Sequence, residues 1–108
     1  MIRHIVLIRF RADVTDAQIG AIFSQLDGIR AVLPGMGRFF AGRSESPEQI
    51  ERGFLHGFTV DFDSWDALAA YQEHAEHRRV GDQIVAAAEG GMDGILVFDL
   101  PVEGTDPC

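Results

Sequence analysis

The stretch that decides the fold is IRHIVLIRF, residues 2–10. Successive side chains of a β-strand point to opposite faces, so alternation between apolar and polar residues predicts a strand here. One face then carries Ile2, His4, Val6, Ile8 and Phe10, and the other carries Arg3, Ile5, Leu7, Arg9 and Arg11. The first face is apolar except for His4, which makes this histidine a candidate for a function inside the protein.

The rest of the chain alternates helical and strand patterns. Thr15 with Gln18 three residues later fits a capping box, and the helix that it starts is expected to stop at Pro34-Gly35. Ser64 is a suitable N-cap for a second helix, which continues into the histidine-rich segment and is followed by a further helical piece over residues 77–88. The remaining strands are expected at residues 36–43, 55–62 and 95–100.

This order, β-α-β-β-α-β, is the ferredoxin-like pattern of the α+β class. It predicts a four-stranded antiparallel sheet with both helices on one face. The other face would carry Ile5, Leu7, one of Phe39 and Phe40, Leu55 and one set of residues from the last strand. An apolar patch of that kind indicates association, so a homodimer through the sheet face is expected.

Length and composition limit the possibilities further. The 108 residues suit one domain over residues 1–101 with a loose tail over 102–108. A net charge of −8 repels phosphate backbones and anionic lipids, so neither nucleic acid nor a membrane is an expected partner. Cys108 is the only cysteine and cannot form an internal disulfide, which favours a reducing, cytoplasmic setting.

Four polar residues are the candidates for a functional site. Tyr71 and His77 lie in the segment that follows the second helix start, and His4 and His56 lie on the more apolar faces of their strands. Those strand faces should pack under the helices, and Tyr71 shares a helical stripe with Leu68 that points toward the sheet. The sequence therefore favours a pocket between sheet and helices that is lined by His4, His56, Tyr71 and His77.

The chain resembles a known family, the stress-responsive dimeric α+β barrel (Dabb) domain, over roughly residues 2–100. The resemblance rests on His4–Phe10, Leu33-Pro34-Gly35, Gly42-Arg43, Gly53–His56, Val60-Asp61-Phe62 and Tyr71-x-x-His74-x-x-His77. It implies a ferredoxin-like fold that dimerises sheet to sheet into a barrel. One branch of the family cyclises a linear polyketide thioester by an intramolecular aldol reaction without a cofactor.

The resemblance also implies roles for the four residues. His77 matches the general base of that branch, Tyr71 matches a residue that helps to hold the substrate, and His4 and His56 match further substrate-binding positions. An imidazole can accept a proton from a carbon flanked by carbonyls, and a tyrosine hydroxyl can donate to the developing oxyanion. The family often has a proline between the two histidines, where this chain has Ala75-Glu76. The sequence leaves open whether the chain bends there and turns His77 inward.

Other interpretations of these residues remain open. Each histidine could be a buried residue with its nitrogens satisfied, and Tyr71 could be ordinary packing between helix and sheet. A metal site of His4, His56 and His77 is disfavoured because the ligands are scattered without a local pair, and no cofactor is expected.

The function expected from the sequence is the binding of a small apolar carbonyl compound between sheet and helices, and its enzymatic form would be a cofactor-free cyclase or lyase. The alternatives are a non-catalytic stress-response binding module and a cofactor-free monooxygenase.

Overall fold

The computed structural model describes residues 1–102, and the sheet in this part of the chain has four antiparallel strands with the helices on one face. The strands are β1 (Ile2–Ile8), β2 (Met36–Arg43), β3 (His56–Phe62) and β4 (Ile95–Pro101), in the spatial order β2-β3-β1-β4. The ferredoxin-like fold predicted from the sequence is confirmed. Strand β1 is central, between β3 and β4.

The first helix begins as the sequence predicts. Helix α1 spans Asp16–Gly28, and its N-terminus carries the full capping box. The Gln18 N–H donates to Thr15 Oγ1 over 3.1 Å, and the Thr15 N–H donates to Gln18 Oε1 over 2.8 Å. The helix ends at Gly28, before the expected stop at Pro34-Gly35, and a short 3₁₀ turn, Ile29–Ala31, follows it.

The second helical region is divided in two. Ser64 caps α2 (Trp65–Glu73), and α3 (Ala75–Ala87) follows after one non-helical residue, His74. The backbone of His74 is extended, with φ −64° and ψ 135°. The chain therefore bends one residue before Ala75, and α3 begins two residues earlier than the expected segment at 77–88.

The core lies between the helices and the sheet face that carries Ile2, Val6 and Ile8. Its largest fully buried side chains are Tyr71, Phe62, Ile8, Leu26, Val60 and Val80. His4 is the one buried polar or charged residue that the described part of the chain places in this layer. The alternation in residues 2–10 thus predicted the correct inner face for β1.

The outer sheet face is apolar and uncovered. It carries Leu7, Phe40, Leu96, Phe98 and Leu100, each at least 36% exposed. Phe40 belongs to this face, whereas Phe39 stacks on Phe58 on the helix side, with ring centroids 5.6 Å apart. One bidentate ion pair lies at an end of the outer face, where the Arg3 guanidinium donates to both oxygens of Asp61 over 2.8 and 3.2 Å.

A polar bridge joins α1 to α3. Gln25 Oε1 accepts from Arg79 Nη1 over 2.9 Å and from Gln83 Nε2 over 3.1 Å. The Gln25 amide also donates to Gln83 Oε1 over 3.1 Å. These bonds hold α3 beside α1 and so fix one wall of the cleft described below.

Most of the predicted loose tail, residues 103–108 with Cys108, lies outside the described residues. Val102 is described, and its N–H donates to the Met1 carbonyl over 2.9 Å. The division into one domain and a tail stays a prediction. Within residues 1–102 no helix combines the length and the apolar character needed to cross a membrane.

Candidate functional site

The structure brings three of the four predicted site residues together. The rings of Tyr71 and His77 have centroids 4.2 Å apart, and those of Tyr71 and His4 are 5.8 Å apart. Phe62 closes the group, with its ring centroid 4.9 Å from that of Tyr71. The cluster joins β1, β3, α2 and α3, so it exists only in the folded chain.

His77 is turned inward because the chain bends at His74. It is the third residue of α3, and its Nδ1 lies 3.3 Å from the carbonyl oxygen of Gln72 in the last turn of α2. A carbonyl can only accept, so Nδ1 must carry the hydrogen, and Nε2 keeps its lone pair. Burial lowers the pKa of His77 below its usual value, while the bond to Gln72 opposes that shift and the charge of Arg78 adds to it. A neutral imidazole with a free Nε2 is the form that a general base needs.

Tyr71 is fully buried beneath His77. Burial raises the pKa of its phenol far above the usual value, so the hydroxyl stays protonated. Among residues 1–102 this hydroxyl has no hydrogen-bond partner. A buried donor without a partner carries the desolvation cost of its polar group, so Tyr71 is poised to donate to an acceptor that reaches it.

His4 is paired with a carboxylate, which the sequence analysis missed. Its Nδ1 lies 2.5 Å from Asp99 Oδ1, and the His4 side chain is only 5% exposed. The sequence feature that could have revealed the pair is Asp99, the one acidic residue of β4. Alternation places it on the same face as Ile95 and Val97. Only the register of β1 on β4, which sets His4 opposite Asp99, identifies its partner.

His56 does not join the other three residues. The alternation placed it on the correct face, but it pairs with Ile8 whereas His4 pairs with Val60, so it lies four positions along β3. That offset is about 13 Å at roughly 3.3 Å per residue. The His56 ring instead packs edge-on against Phe10, with centroids 5.4 Å apart. Burial lowers the pKa of His56, and the nearby Arg43 charge lowers it further.

A cleft of about 470 Å³ opens between the sheet and α3 beside this cluster. His4 and His77 line it, together with apolar side chains that include Val6, Val85, Met92 and Val97. Met92 and Val97 are 68% and 54% exposed, so part of the apolar wall faces solvent. Tyr71 is not among the lining residues, because the His77 ring lies over it.

The histidines are not arranged as a metal site. Within residues 1–102 no group of three or more histidine, cysteine, aspartate or glutamate side chains could hold a metal ion. The set of His4, His56 and His77 is not assembled, since His56 is at the other end of β3. What the cluster offers is acid–base chemistry beside an apolar cleft.

Fold and cluster together define a ferredoxin-like α+β protein with a ligand-sized cleft between its sheet and its last helix. The chain belongs to the Stress responsive A/B Barrel Domain family (Dabb), whose sequence profile matches residues 2–102. The family predicted from the sequence is confirmed.

Two relatives support this assignment. Olivetolic acid cyclase of Cannabis sativa is 25% identical over 98 residues, which cover 91% of this chain and 93% of that protein. Among solved structures, a dimeric ferredoxin-like protein of unknown function from Jannaschia sp. CCS1 has a TM-score of 0.88 and 35% identity, covering 94% of this chain and 98% of that chain.

A third similarity concerns the fold alone. The hydroxynitrile lyase of Passiflora edulis superposes with a TM-score of 0.82 at 22% identity, covering 98% of this chain and 96% of that chain.

Proposed function

We propose that this protein is a homodimer that binds a small, largely apolar carbonyl compound in the cleft between the sheet and α3, and that it catalyses a cofactor-free aldol cyclisation there. The observation that carries the proposal is the state of His77. Its Nδ1 hydrogen is directed to the Gln72 carbonyl, which leaves Nε2 as the acceptor in a site beside apolar walls.

The chemistry uses groups of this chain only. Nε2 of His77 takes a proton from a carbon between two carbonyls, and the electron pair of that C–H bond forms the enolate. The enolate carbon attacks a second carbonyl of the same molecule and forms the ring C–C bond. The resulting alkoxide takes up the proton from the His77 imidazolium, which restores the base. Tyr71 would donate its hydroxyl to the developing oxyanion after a shift of the His77 ring that exposes it.

The pair of His4 and Asp99 would orient a polar end of the substrate. Asp99 accepts from Nδ1 of His4, which fixes the ring and leaves Nε2 of His4 as a polar contact in the cleft wall. That wall is also lined by Gln72, Arg78 and Asp82. The role in substrate binding that the resemblance implies for His56 is a separate proposal. His56 would act only on a part of the ligand that extends about 13 Å along β3.

The name of one relative supports the reaction class. Olivetolic acid cyclase is a cyclase, and it matches this chain over nearly its whole length. The homodimer is supported by the uncovered outer face and by the Jannaschia protein, which is described as dimeric.

Turnover of a linear poly-β-ketone thioester tests the reaction. We expect the wild-type protein to release a cyclised product and His77→Ala to lose at least about 100-fold in rate. Arg38→Ala is the matched control, since Arg38 is an exposed residue of β2, the edge strand farthest from β4. Equal turnover by His77→Ala and wild type would remove His77 as the base. Oxygen uptake in the same assay identifies the monooxygenase alternative.

One observation favours the second candidate, a non-catalytic binding module. Tyr71 is fully buried and does not line the cleft, as in a layer whose polar groups serve packing. A binding module would show saturable shifts of the Val97 and Met92 methyl signals with an apolar ketone, and no product with any thioester tested.

A further inference from the structure

The side chain of His74 caps the start of α3 at the junction between α2 and α3. His74 leaves the helical conformation, and its Nδ1 accepts the backbone N–H of Glu76 over 3.1 Å. The His74 carbonyl accepts from the Arg78 N–H over 3.0 Å, which is the first bond of α3. His74 thus serves as the N-cap of α3, a position at which serine, threonine, aspartate and asparagine are the preferred residues.

An imidazole can serve as this cap in one protonation state only. The N–H of Glu76 is a donor, so Nδ1 of His74 must offer a lone pair, and the ring hydrogen must be on Nε2. The imidazolium has hydrogens on both nitrogens and cannot accept. Its charge would also face the positive end of the α3 dipole. Protonation therefore removes the cap and adds a repulsion.

The cap bears directly on His77. The bond from His77 Nδ1 to the Gln72 carbonyl spans the junction, because Gln72 is in the last turn of α2 and His77 is in the first turn of α3. The angle between the two helices at His74 decides whether this bond forms and whether the His77 ring lies over Tyr71. We propose that His74 is a positioning residue: its neutral imidazole caps α3 and so sets His77 against Tyr71, and protonation of His74 releases both.

The charged groups near the junction moderate this effect without reversing it. Glu73 ends α2, and Glu76, His77 and Arg78 lie in the first turn of α3. The Glu76 carboxylate attracts a charged His74, but it is already paired with the Arg79 guanidinium over 2.9 Å. His77 and Arg78 oppose added positive charge. The acceptor of the Glu76 N–H is Nδ1 of His74, and protonation removes that acceptor.

Two variants separate the cap from the charge. His74→Asn keeps an N-cap acceptor that does not titrate between pH 5 and 8, and His74→Ala removes the acceptor. NMR of the His77 imidazole and the Tyr71 ring, without substrate, reports whether the two rings stay together. At pH 8 we expect wild type and His74→Asn to give the same signals. His74→Ala should give shifted, averaged signals and a melting temperature lower by roughly 5 °C.

The pH dependence gives the decisive comparison. His77 itself titrates in all three proteins, so the proposal rests on the difference between wild type and His74→Asn. Once His74 is protonated in acid, the wild-type signals should approach those of His74→Ala, while His74→Asn should show only the titration of His77. Identical acid behaviour of wild type and His74→Asn would overturn the proposal, and this comparison stands even where His74→Ala does not fold.

The consequence for turnover rests on the proposed function, whereas the cap does not. If the cyclase activity exists, His74→Asn should widen the acid limb of the kcat profile relative to wild type. Loss of the NMR difference would refute the cap. Absence of turnover in every variant, with the NMR difference intact, would refute only the proposed reaction.

Discussion

Nδ1 of His4 lies 2.5 Å from Oδ1 of Asp99, across the β1–β4 ladder and at the wall of the cleft. The His4 side chain is 5% exposed, so water has little access to Nδ1 as a substitute partner. Asp99→Ala should therefore lower the free energy of unfolding by about 1–3 kcal/mol, the cost of an unsatisfied buried polar group. Urea denaturation measures this. Asp93→Ala, at an exposed aspartate, should change little, and equal losses in the two variants would contradict the role given to the pair.

Tyr71→Phe should separate stability from function. The hydroxyl has no partner among the described residues, so its removal should leave the free energy of unfolding unchanged or raise it slightly. If the hydroxyl donates to the oxyanion, turnover should fall by about 10²–10³-fold at the same time. A large loss of stability would show instead that the hydroxyl has a structural partner. Urea denaturation and kcat on the same preparation give both quantities.

His77 should act as a base at unusually low pH. Burial lowers its pKa, so the neutral form persists below the range in which histidine is ordinarily neutral. In His74→Asn, whose N-cap does not titrate, the rate should hold as the pH falls and decline only through that lowered pKa of His77. The free energy of unfolding should also fall in acid, because the unfolded chain binds a proton at His77 more readily than the folded chain does. The contribution of His77 is complete above the unfolded pKa of about 6.5 and declines below it. Imidazole NMR from pH 4 to 8 measures the pKa of His77, and melting curves over the same range measure the loss of stability. His77→Gln is expected to reduce that loss of stability in acid.

A charged side chain introduced on the outer sheet face should disrupt the proposed dimer. Phe98 is 54% exposed on this face, and Trp65 is 55% exposed at the start of α2. We expect Phe98→Asp to shift the protein to monomer in sedimentation velocity, because an unpaired carboxylate would be buried between the sheets. Trp65→Asp makes the same change at equal exposure and should leave the dimer intact. A dimeric Phe98→Asp protein, or dissociation by both variants, would locate the interface elsewhere.

Substitution by alanine should destabilise the protein more at Gly57 than at Gly42, the glycine opposite it. A Cβ on Gly57 would lie 2.8 Å from Leu7 Cδ2 and from the Val6 carbonyl oxygen, whereas a Cβ on Gly42 would meet nothing within 4 Å. The two residues are direct partners on β2 and β3. Gly57→Ala should therefore cost about 1–3 kcal/mol of unfolding free energy, and Gly42→Ala much less. Denaturant midpoints compare them, and equal costs would contradict the steric argument.

The sequence predicted the elements of the fold because they depend on local patterns. Alternation in residues 2–10 placed His4 on the inner face, and Thr15 with Gln18 marked the start of α1, as the structure confirms. The partner of His4 could not be found in this way, since Asp99 is set opposite it only by the register of two strands far apart in sequence. The same limit applies to His56, whose face was predictable and whose position along the sheet was not.

The bend that turns His77 inward shows a second limit. The family resemblance drew attention to the proline that often lies between the two histidines, and this chain has Ala75-Glu76 there, so the bend itself was left open. The helix is interrupted at His74. There the side-chain Nδ1 accepts the backbone N–H of Glu76, which has no acceptor within α3 because it lies in the first turn. Histidine is not among the preferred capping residues, so its chemistry at this position is apparent only from the distance between two atoms.

The pairing of β1 with β4 has a consequence for how the protein is made. His4 and Asp99 are 95 residues apart in the chain, and contacts of such separation form late because a long loop must close first. At roughly 5–20 residues per second, β4 is synthesised several seconds after β1. During that interval one edge of β1 lacks its neighbour and His4 lacks its carboxylate. A ribosome that pauses before β4 would therefore prolong the exposure of an unpaired strand edge to other nascent chains.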